Sequence, residues 1–377
     1  MDNYLAHHNH WIEWQQALEM GLVAARKIEY QRSEMFFLQR YGTACWFLNQ
    51  FEHSLNYHQQ ALDIARQIGD ERSECGYLTH LANSEVSLRN PEKAIEYANQ
   101  ALSIAQGVNN HRLEAAALGS IGRAYISLNK PQIAVDYLLK AVKYSRDFSD
   151  RGEAIYLGDL GKAYLMLGEI EKGVESTKQS LSIHKKLGSR RGEELSLLSL
   201  GHAFNDLGQK EKAIEYYQQS LTLHRQYANP TSEAYQLSSL GRVCFDLGRF
   251  KEAINCFEGA MVAGRKNNNR IEEAISFSNL GNAYRFQKQF EKAEKNYELA
   301  LQIVREVEDK QREAVLLRFL GYIYSADGET EKAIQNYHQA LEIAREVGYR
   351  REEGNVLNAL GSARSAQGDF GTSNSTS

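Results

Sequence analysis

Leu200-Gly201-His202-Ala203-Phe204, then Gly208, then Ala213-Ile214-Glu215-Tyr216-Tyr217 and Ser220-Leu221 hold the unit from which the chain is built. Leu197, Leu200, Gly201, Phe204 and Leu207 recur at steps of three and four, which is one face of a helix. Past Gly208-Gln209-Lys210 a second set, Ala213, Ile214, Tyr217, Ser220 and Leu221, keeps the period in a new phase. A turn of about three residues between two such helices forces them antiparallel.

The same unit returns along the chain. Gly42, Ala82, Gly122, Gly161, Gly201, Gly241, Gly281, Gly321 and Gly361 are 40 residues apart at every step but one, which is 39. A fixed period of that length marks a repeat array whose units bury their apolar faces only against neighbours. Such a core grows along one axis, so 377 residues need not divide into separate globular domains. Pro91 and Pro131 fall where a second helix begins, where a missing N–H costs nothing, and Pro230 falls between hairpins. Small residues recur where paired helices cross: Ala94, Ala134, Gly173, Ala213, Ala253, Ala293 and Ala333, and again Ala61, Ala101, Ala141, Ser180, Ser220, Ala260, Ala300 and Ala340. A mid-helix glycine costs about 1 kcal/mol relative to alanine, so each anchor glycine implies a neighbour too close for a Cβ.

A glutamate stands eight residues before each anchor, at Glu34, Glu74, Glu114, Glu153, Glu193, Glu233, Glu273, Glu313 and Glu353, in the first turn of the first helix. There a carboxylate meets the positive end of the helix dipole. Arg66, Arg146, Lys185, Arg225, Arg265, Arg305 and Arg345 close the preceding second helices and are placed to pair with it. A whole helix pair separates successive carboxylates, so the row reads as a structural ladder and not as a metal or acid–base array.

Composition narrows the function classes. A net charge of −4 with 24% charged residues gives a mixed, mildly acidic surface with no global attraction to nucleic acid or anionic lipid. No apolar run is long enough to cross a bilayer, and Met1-Asp2-Asn3-Tyr4 does not open a signal peptide, so a cytoplasmic protein is expected. Cys45, Cys75, Cys244 and Cys256 show no CxxC spacing and read as small buried apolar residues. Leu157-Gly158-Asp159-Leu160-Gly161-Lys162-Ala163 lacks the spacing and the hydroxyl of a phosphate-binding loop. His7, His8 and His10 cluster near the N-terminus, and His184 and His224 sit at matching points of successive second helices, as packing residues do. Neither HExxH nor a nucleophile elbow occurs; no catalytic residue, metal or cofactor is expected.

Leu200-Gly201, Phe204, Gly208, Ala213, Tyr217 and Ser220-Leu221 together resemble the tetratricopeptide repeat, and the resemblance extends over about residues 11–367. It implies an all-α fold, a right-handed superhelical solenoid of antiparallel helix hairpins with about eighteen helices. With 40 residues per unit instead of about 34, the chain is similar to the long-repeat branch typified by Pins-like polarity adaptors and by the repeat tails of STAND signalling ATPases. Register sets the expected organisation. Residues 1–10 form a flexible N-terminus, 11–28 a half repeat, then come eight hairpins, a closing single helix at 353–367 and a disordered tail at 368–377, with 11–367 as one solenoid. Trp14 stands where later repeats carry a small residue, so it either caps the open core or docks on a domain outside this chain. Trp11-Ile12-Glu13-Trp14 looks like the junction at which repeats follow the nucleotide-binding part of a STAND ATPase, which makes such an N-terminal domain of the same full-length protein one expected partner.

In such an array the first helices line the inner wall of the superhelix. The residue after each anchor is expected to face inward: Thr43, Asn83, Arg123, Lys162, His202, Arg242, Asn282, Tyr322 and Ser362. Asn205, Phe245, Arg285 and Arg318 join them, with Trp46 nearby. A basic inner stripe with interleaved aromatics, in an acidic protein, suits an extended or helical peptide whose carboxylates are held by arginines. The expected function is a non-catalytic protein-interaction scaffold, as the ligand-sensing repeats of a STAND-type ATPase or, alternatively, as a freestanding adaptor that assembles signalling or polarity proteins. Nucleic acid is disfavoured by the acidic outer surface, and no membrane contact is expected.

Overall fold

The computed structural model describes residues 11–226 and 233–373, with side chains over 14–226 and 233–365. The expected N-terminus at 1–10, Pro230 and residues 374–377 lie outside the described residues. The helices are described as two compact units, Met1–Ala228 and Asn229–Ser377. All the described elements are helices.

Unit 1 runs α1 (Trp11–Lys27), α2 (Gln31–Phe47), α3 (Phe51–Ile68), α4 (Glu71–Ser87), α5 (Pro91–Gly107), α6 (His111–Ser127), α7 (Pro131–Ser145), α8 (Asp150–Met166), α9 (Ile170–Lys186), α10 (Arg190–Asp206) and α11 (Lys210–Gln226). Unit 2 runs α12 (Glu233–Asp246), α13 (Phe250–Lys266), α14 (Arg270–Phe286), α15 (Phe290–Glu306), α16 (Lys310–Ala326), α17 (Thr330–Glu346) and α18 (Arg350–Ser373). Eighteen helices are therefore described, as expected. α18 starts three residues before the expected boundary and stays helical past 367 to Ser373.

Within each unit every helix packs on the next in sequence. Even-numbered helices carry the anchors and are the first helices of the hairpins. Successive first helices also touch in both units, as α4 on α6 and α16 on α18, more closely than successive second helices do. The more tightly spaced row lies on the shorter, inner side of a stack, so the first helices line the inner face of each unit.

Every anchor glycine but Gly361 has the neighbour its recurrence implies; a Cβ on Gly361 would meet nothing within 4 Å. A Cβ on Gly201 would come within 2.6 Å of the Tyr217 ring, on Gly281 within 2.5 Å of Tyr297, and on Gly241 within 2.6 Å of Phe257. Tyr217, Tyr297, Tyr337 and Phe257 are among the largest fully buried side chains, threaded between the two helices of their hairpins. Gly208 ends α10 with φ +71, a left-handed conformation in which an L side chain is strained. Asp70, Asn110, Ser149, Asn269 and Asp309 cap the first helices α4, α6, α8, α14 and α16 with side-chain acceptors for free N–H groups. Second helices α5 and α7 begin on Pro91 and Pro131 instead.

The glutamate ladder is present at six steps, while Glu193 lies 3.7 Å from Arg190 of its own first turn and not against the expected Lys185. Arg26 meets Glu34 and Arg66 meets Glu74, both at 2.8 Å; Arg146 meets Glu153 at 3.1 Å, and Arg265, Arg305 and Arg345 meet Glu273, Glu313 and Glu353 at 2.5, 2.8 and 2.7 Å. These arginines are about half exposed, so each pair stabilises by roughly 0.2–1 kcal/mol; the ladder fixes the register between hairpins more than it adds stability. Glu114 bonds His111 of its own first turn instead, since no basic residue closes α5. Trp14 is buried with Leu18 against Ala44, Phe37 and Tyr41.

Candidate protein-interaction surface

On a first helix the residues six and three before the anchor and one and five after it share a face, because their spacings of three and four fall in register with the helical turn. That face is turned from the second helix and is the inner one. At the position right after the anchor, one internal duty competes with ligand binding. The tyrosine that lies under the anchor glycine ends in a hydroxyl that needs a partner once buried. Tyr217 OH lies 2.7 Å from His202 Nδ1, and Tyr297 OH donates to Asn282 Oδ1 at 2.9 Å. His202 and Asn282, both expected to face a ligand, are thus tied to the hairpin core. Where the buried residue has no hydroxyl to reach that far, as with Leu138, Thr177 and Phe257, the position carries a cation: Arg123, Lys162 and Arg242.

A second contact runs between adjacent repeats, from the residue after one anchor to the residue two before the next. Ser120 Oγ donates to Asn83 Oδ1 at 3.0 Å, and Arg123 Nε lies 3.0 Å from Asp159 Oδ2. Desolvation holds the Asp159 carboxyl above its ordinary range, outweighing the opposite pull of Arg123 and Lys162. Lys162 is exposed and carries no hydrogen bond or ion pair among the described residues. Asn205 keeps a buried Oδ1 with no hydrogen-bond partner. Unit 1 also carries a contact that spans four repeats: the Arg191 guanidinium, in the first turn of α10, lies 5.8 Å from the Trp46 ring and 5.0 Å from the Phe47 ring at the end of α2.

Unit 2 is arranged differently. Arg242 is exposed, with no hydrogen bond or ion pair among the described residues. One turn on, Phe245 packs against Phe250 at 5.4 Å and Phe286 at 5.1 Å. Arg285 lies 4.7 Å from the Phe286 ring and 5.7 Å from Tyr322, and its Nε is enclosed without an acceptor. Arg318 is not a free cation: Glu352 of α18 meets it at 2.5 Å, and that carboxylate is 2% exposed. Two of the five cations in the expected stripe, Arg123 and Arg318, are therefore neutralised internally.

What the sequence reading missed is apolar. Phe36, Ile155, Leu195 and Tyr235 six before an anchor, and Met166 and Phe286 five after, are exposed large hydrophobics on the inner faces of their units, beside the expected Tyr322. The signal was in the repeat itself, as large apolar residues in slots that other repeats fill with Gly76, Asn355, Ser87 or Asp206. Among the described residues no three His, Cys, Asp or Glu side chains are grouped to hold a metal ion, and no helix is long and apolar enough to cross a membrane.

Tetratricopeptide repeat models match residues 73–147, 152–226, 232–306 and 311–373, most of the chain, and the protein belongs to the tetratricopeptide repeat family. Its backbone is similar to that of a STAND signal-transduction ATPase with a tetratricopeptide repeat sensor from Pyrococcus horikoshii, with a TM-score of 0.67 and 16% identity over 84% of this chain and 49% of that one. The chain thus spans about half the length of that relative. RapI in its apo form is also similar, with a TM-score of 0.56 and 14% identity over 73% of this chain and 99% of the other. Aspartyl phosphate phosphatase F from Bacillus subtilis gives a TM-score of 0.56 and 12% identity over 91% and 94%. No curated protein matches the sequence. At these identities the likenesses establish the fold alone.

Proposed function

We propose that the chain is a non-catalytic, cytoplasmic scaffold that binds an extended or helical peptide with acidic groups along the inner face of its first helices. The observation that carries this reading is made in each unit by itself: on the inner face of unit 1 Lys162, exposed and without an ion pair, accompanies the exposed Leu195, and on that of unit 2 Arg242 accompanies the exposed Phe286, in a protein of net charge −4. Large exposed apolar residues beside unpaired charge mark protein-binding faces. The likeness to the STAND protein supports a role as the ligand-sensing repeats of a signalling ATPase, with an N-terminal nucleotide-binding domain as covalent partner. The near-complete coverage of RapI supports the second reading, a freestanding adaptor.

The test is fluorescence anisotropy with a labelled peptide library rich in Asp and Glu, beside its Asn and Gln isosteres. Binding of the acidic set, weakened by salt and by Lys162→Ala with Arg242→Ala at unchanged helicity, is expected. Equal binding of the amide set, or none of either, refutes the reading.

A further inference from the structure

Cys45, Cys75 and Cys244 are buried as expected, but Cys256 is half-buried and stands beside another thiol. Cys244 lies three residues after the anchor Gly241 on α12, and Cys256 fifteen after it on α13, the second helix of the same hairpin. In two hairpins of unit 1 those slots hold rings in contact across the pair of helices: Tyr125 stacks on Tyr137 at 5.7 Å and Phe204 on Tyr216 at 5.2 Å. Between α12 and α13 two thiols replace the two rings, and the Cys256 thiol donates a hydrogen bond to the Cys244 sulfur. The backbones are close enough for a covalent bond. A Cβ on Gly241, one turn before Cys244, would come within 3.1 Å of the Cys256 Cβ, and a disulfide needs its own Cβ atoms about 3.5–4.5 Å apart.

We propose that Cys244 and Cys256 are a redox modification site, joined by a peroxide into a reversible disulfide that locks α12 onto α13. The hydrogen bond from Cys256 holds the Cys244 thiol below its ordinary pKa, against the opposite pull of burial. When the shared proton passes to Cys244, the charge sits on Cys256, the thiol that solvent reaches. That thiolate attacks one oxygen of hydrogen peroxide: an S–O bond forms, the O–O bond breaks, and the departing hydroxide takes the Cys244 proton and leaves as water. The Cys244 thiolate then attacks the Cys256 sulfenic acid; the S–S bond forms, the S–O bond breaks, and hydroxide leaves as water with a proton from solvent. Two electrons pass from the sulfurs to the peroxide, and a thiol reductant returns them by exchange. The other two cysteines lack these features. Cys45 fills the Cys244 slot of its hairpin, but Tyr57 stands where the second thiol would be. Burial pushes the Cys45 and Cys75 thiols up to about 11, and Cys75 donates to the Ala101 carbonyl at 3.2 Å, so both stay protonated at neutral pH. Arg242 and Phe245 ride on α12, so the state of the pair sets how firmly that part of the inner face of unit 2 is held. The inference stands on this hairpin and does not depend on the scaffold reading.

The test exposes the reduced full chain to hydrogen peroxide in about tenfold excess at pH 7, blocks remaining thiols with N-ethylmaleimide and digests with trypsin. Mass spectrometry is expected to find peptides 243–249 and 252–265 joined, at least tenfold sooner than Cys45 or Cys75 loses its thiol, and separated again by dithiothreitol. Closing a loop of this length should raise the melting temperature of the oxidised chain by about 5–10 °C. Cys256→Ser, at a half-buried position, should show neither the cross-link nor the shift, with circular dichroism verifying that it is folded. Oxidation of all four cysteines at one rate, a disulfide between chains through Cys256 in place of the one within the hairpin, or a cross-link that lowers the melting temperature overturns the proposal.

Discussion

The inner faces of the two units solve one local problem in opposite ways. In unit 1 two inter-repeat steps are answered from within, Ser120 donating to Asn83 and Asp159 lying 3.0 Å from Arg123, and Arg191 of the last hairpin rests on Trp46 and Phe47 of the first, while the next step leaves Lys162 without an ion pair. In unit 2 the matching step leaves Arg242 without an ion pair and Asn279 Nδ2 without an acceptor beside three phenylalanine rings, while Glu352 is sunk beneath Arg318. The repeat backbone is common to both units, so binding character here is a matter of which slots are filled from within. A charge satisfied internally holds the stack together, and one left open is available to a partner.

The largest effect that tests this contrast is expected at the buried pair of unit 2. Glu352→Ala strands the Arg318 guanidinium, which is 14% exposed, and breaking a buried pair costs about 3–5 kcal/mol. Urea unfolding and hydrogen exchange in α18 should register that loss. A cost below about 1 kcal/mol would equate the pair with solvent-exposed ones, and the distinction between buried and open charge in unit 2 would fail.

Acid separates the units next. His58 and His80 stack at 4.7 Å inside unit 1; burial, with Arg123 adding to it, pushes His80 down to about 4, and burial with His80 alongside holds His58 well below its usual range. Their folded-state affinity for protons is depressed, so the unfolded chain protonates first as the pH falls below about 6.5. Stability is thus full above about 6.5, is lost as the pH falls towards 4, and stops falling below the folded value; each histidine contributes a slope of up to about 1.4 kcal/mol per pH unit. Hydrogen exchange between pH 7 and 4.5 should show α3 and α4 opening well before α14 and α15. Uniform loss across both units would remove the histidine pair as the cause.

Much of this organisation was legible in the chain. The 40-residue period located every hairpin, the small residues marked the crossings, and the glutamate positions gave the ladder its pairs, because each depends only on residues at fixed offsets. The occupancy of the inner face was less legible. Whether Arg123 or Arg242 is free depends on a residue about 36 positions on, in another helix, and on whether the buried ring beneath the anchor ends in a hydroxyl. The exposed apolar slots escaped notice because Phe36 or Leu195 reads as core until the phase of its helix face is fixed.

Anchors in the two settings sharpen the packing half of the argument. Gly281→Ala puts a Cβ within 2.5 Å of the Tyr297 ring, and overpacking of that kind costs about 1–3 kcal/mol. At Gly361 of α18 a Cβ meets nothing within 4 Å, so Gly361→Ala should be neutral or stabilise by up to about 1 kcal/mol through helix propensity. Melting curves of the two variants should move in opposite directions. A matching loss at Gly361 would mean that the anchor glycine is required for some reason other than the ring beneath it.

The smallest effect carries the most information about the comparison itself. Because the Asp159 carboxyl is held above its ordinary range by desolvation, the folded state binds its proton more tightly than the unfolded chain does. The stability tied to that proton is present at low pH and is lost as the pH rises from about 3.9 through the folded value, so at neutral pH the ionised group is a net burden. Asp159→Asn should therefore leave stability at pH 7 unchanged or raise it within about 1 kcal/mol, since the side chain and Arg123 are both about one-quarter exposed. The same substitution turns the unit 1 step into a copy of the Arg242 and Asn279 step, freeing Arg123 for an outside carboxylate. Weak new binding of acidic peptides to a version in which Arg242 is replaced by alanine is the expected sign. A loss of more than about 2 kcal/mol would show instead that the pair is needed to hold α6 on α8, and the two units would differ in architecture and not merely in which slots are filled.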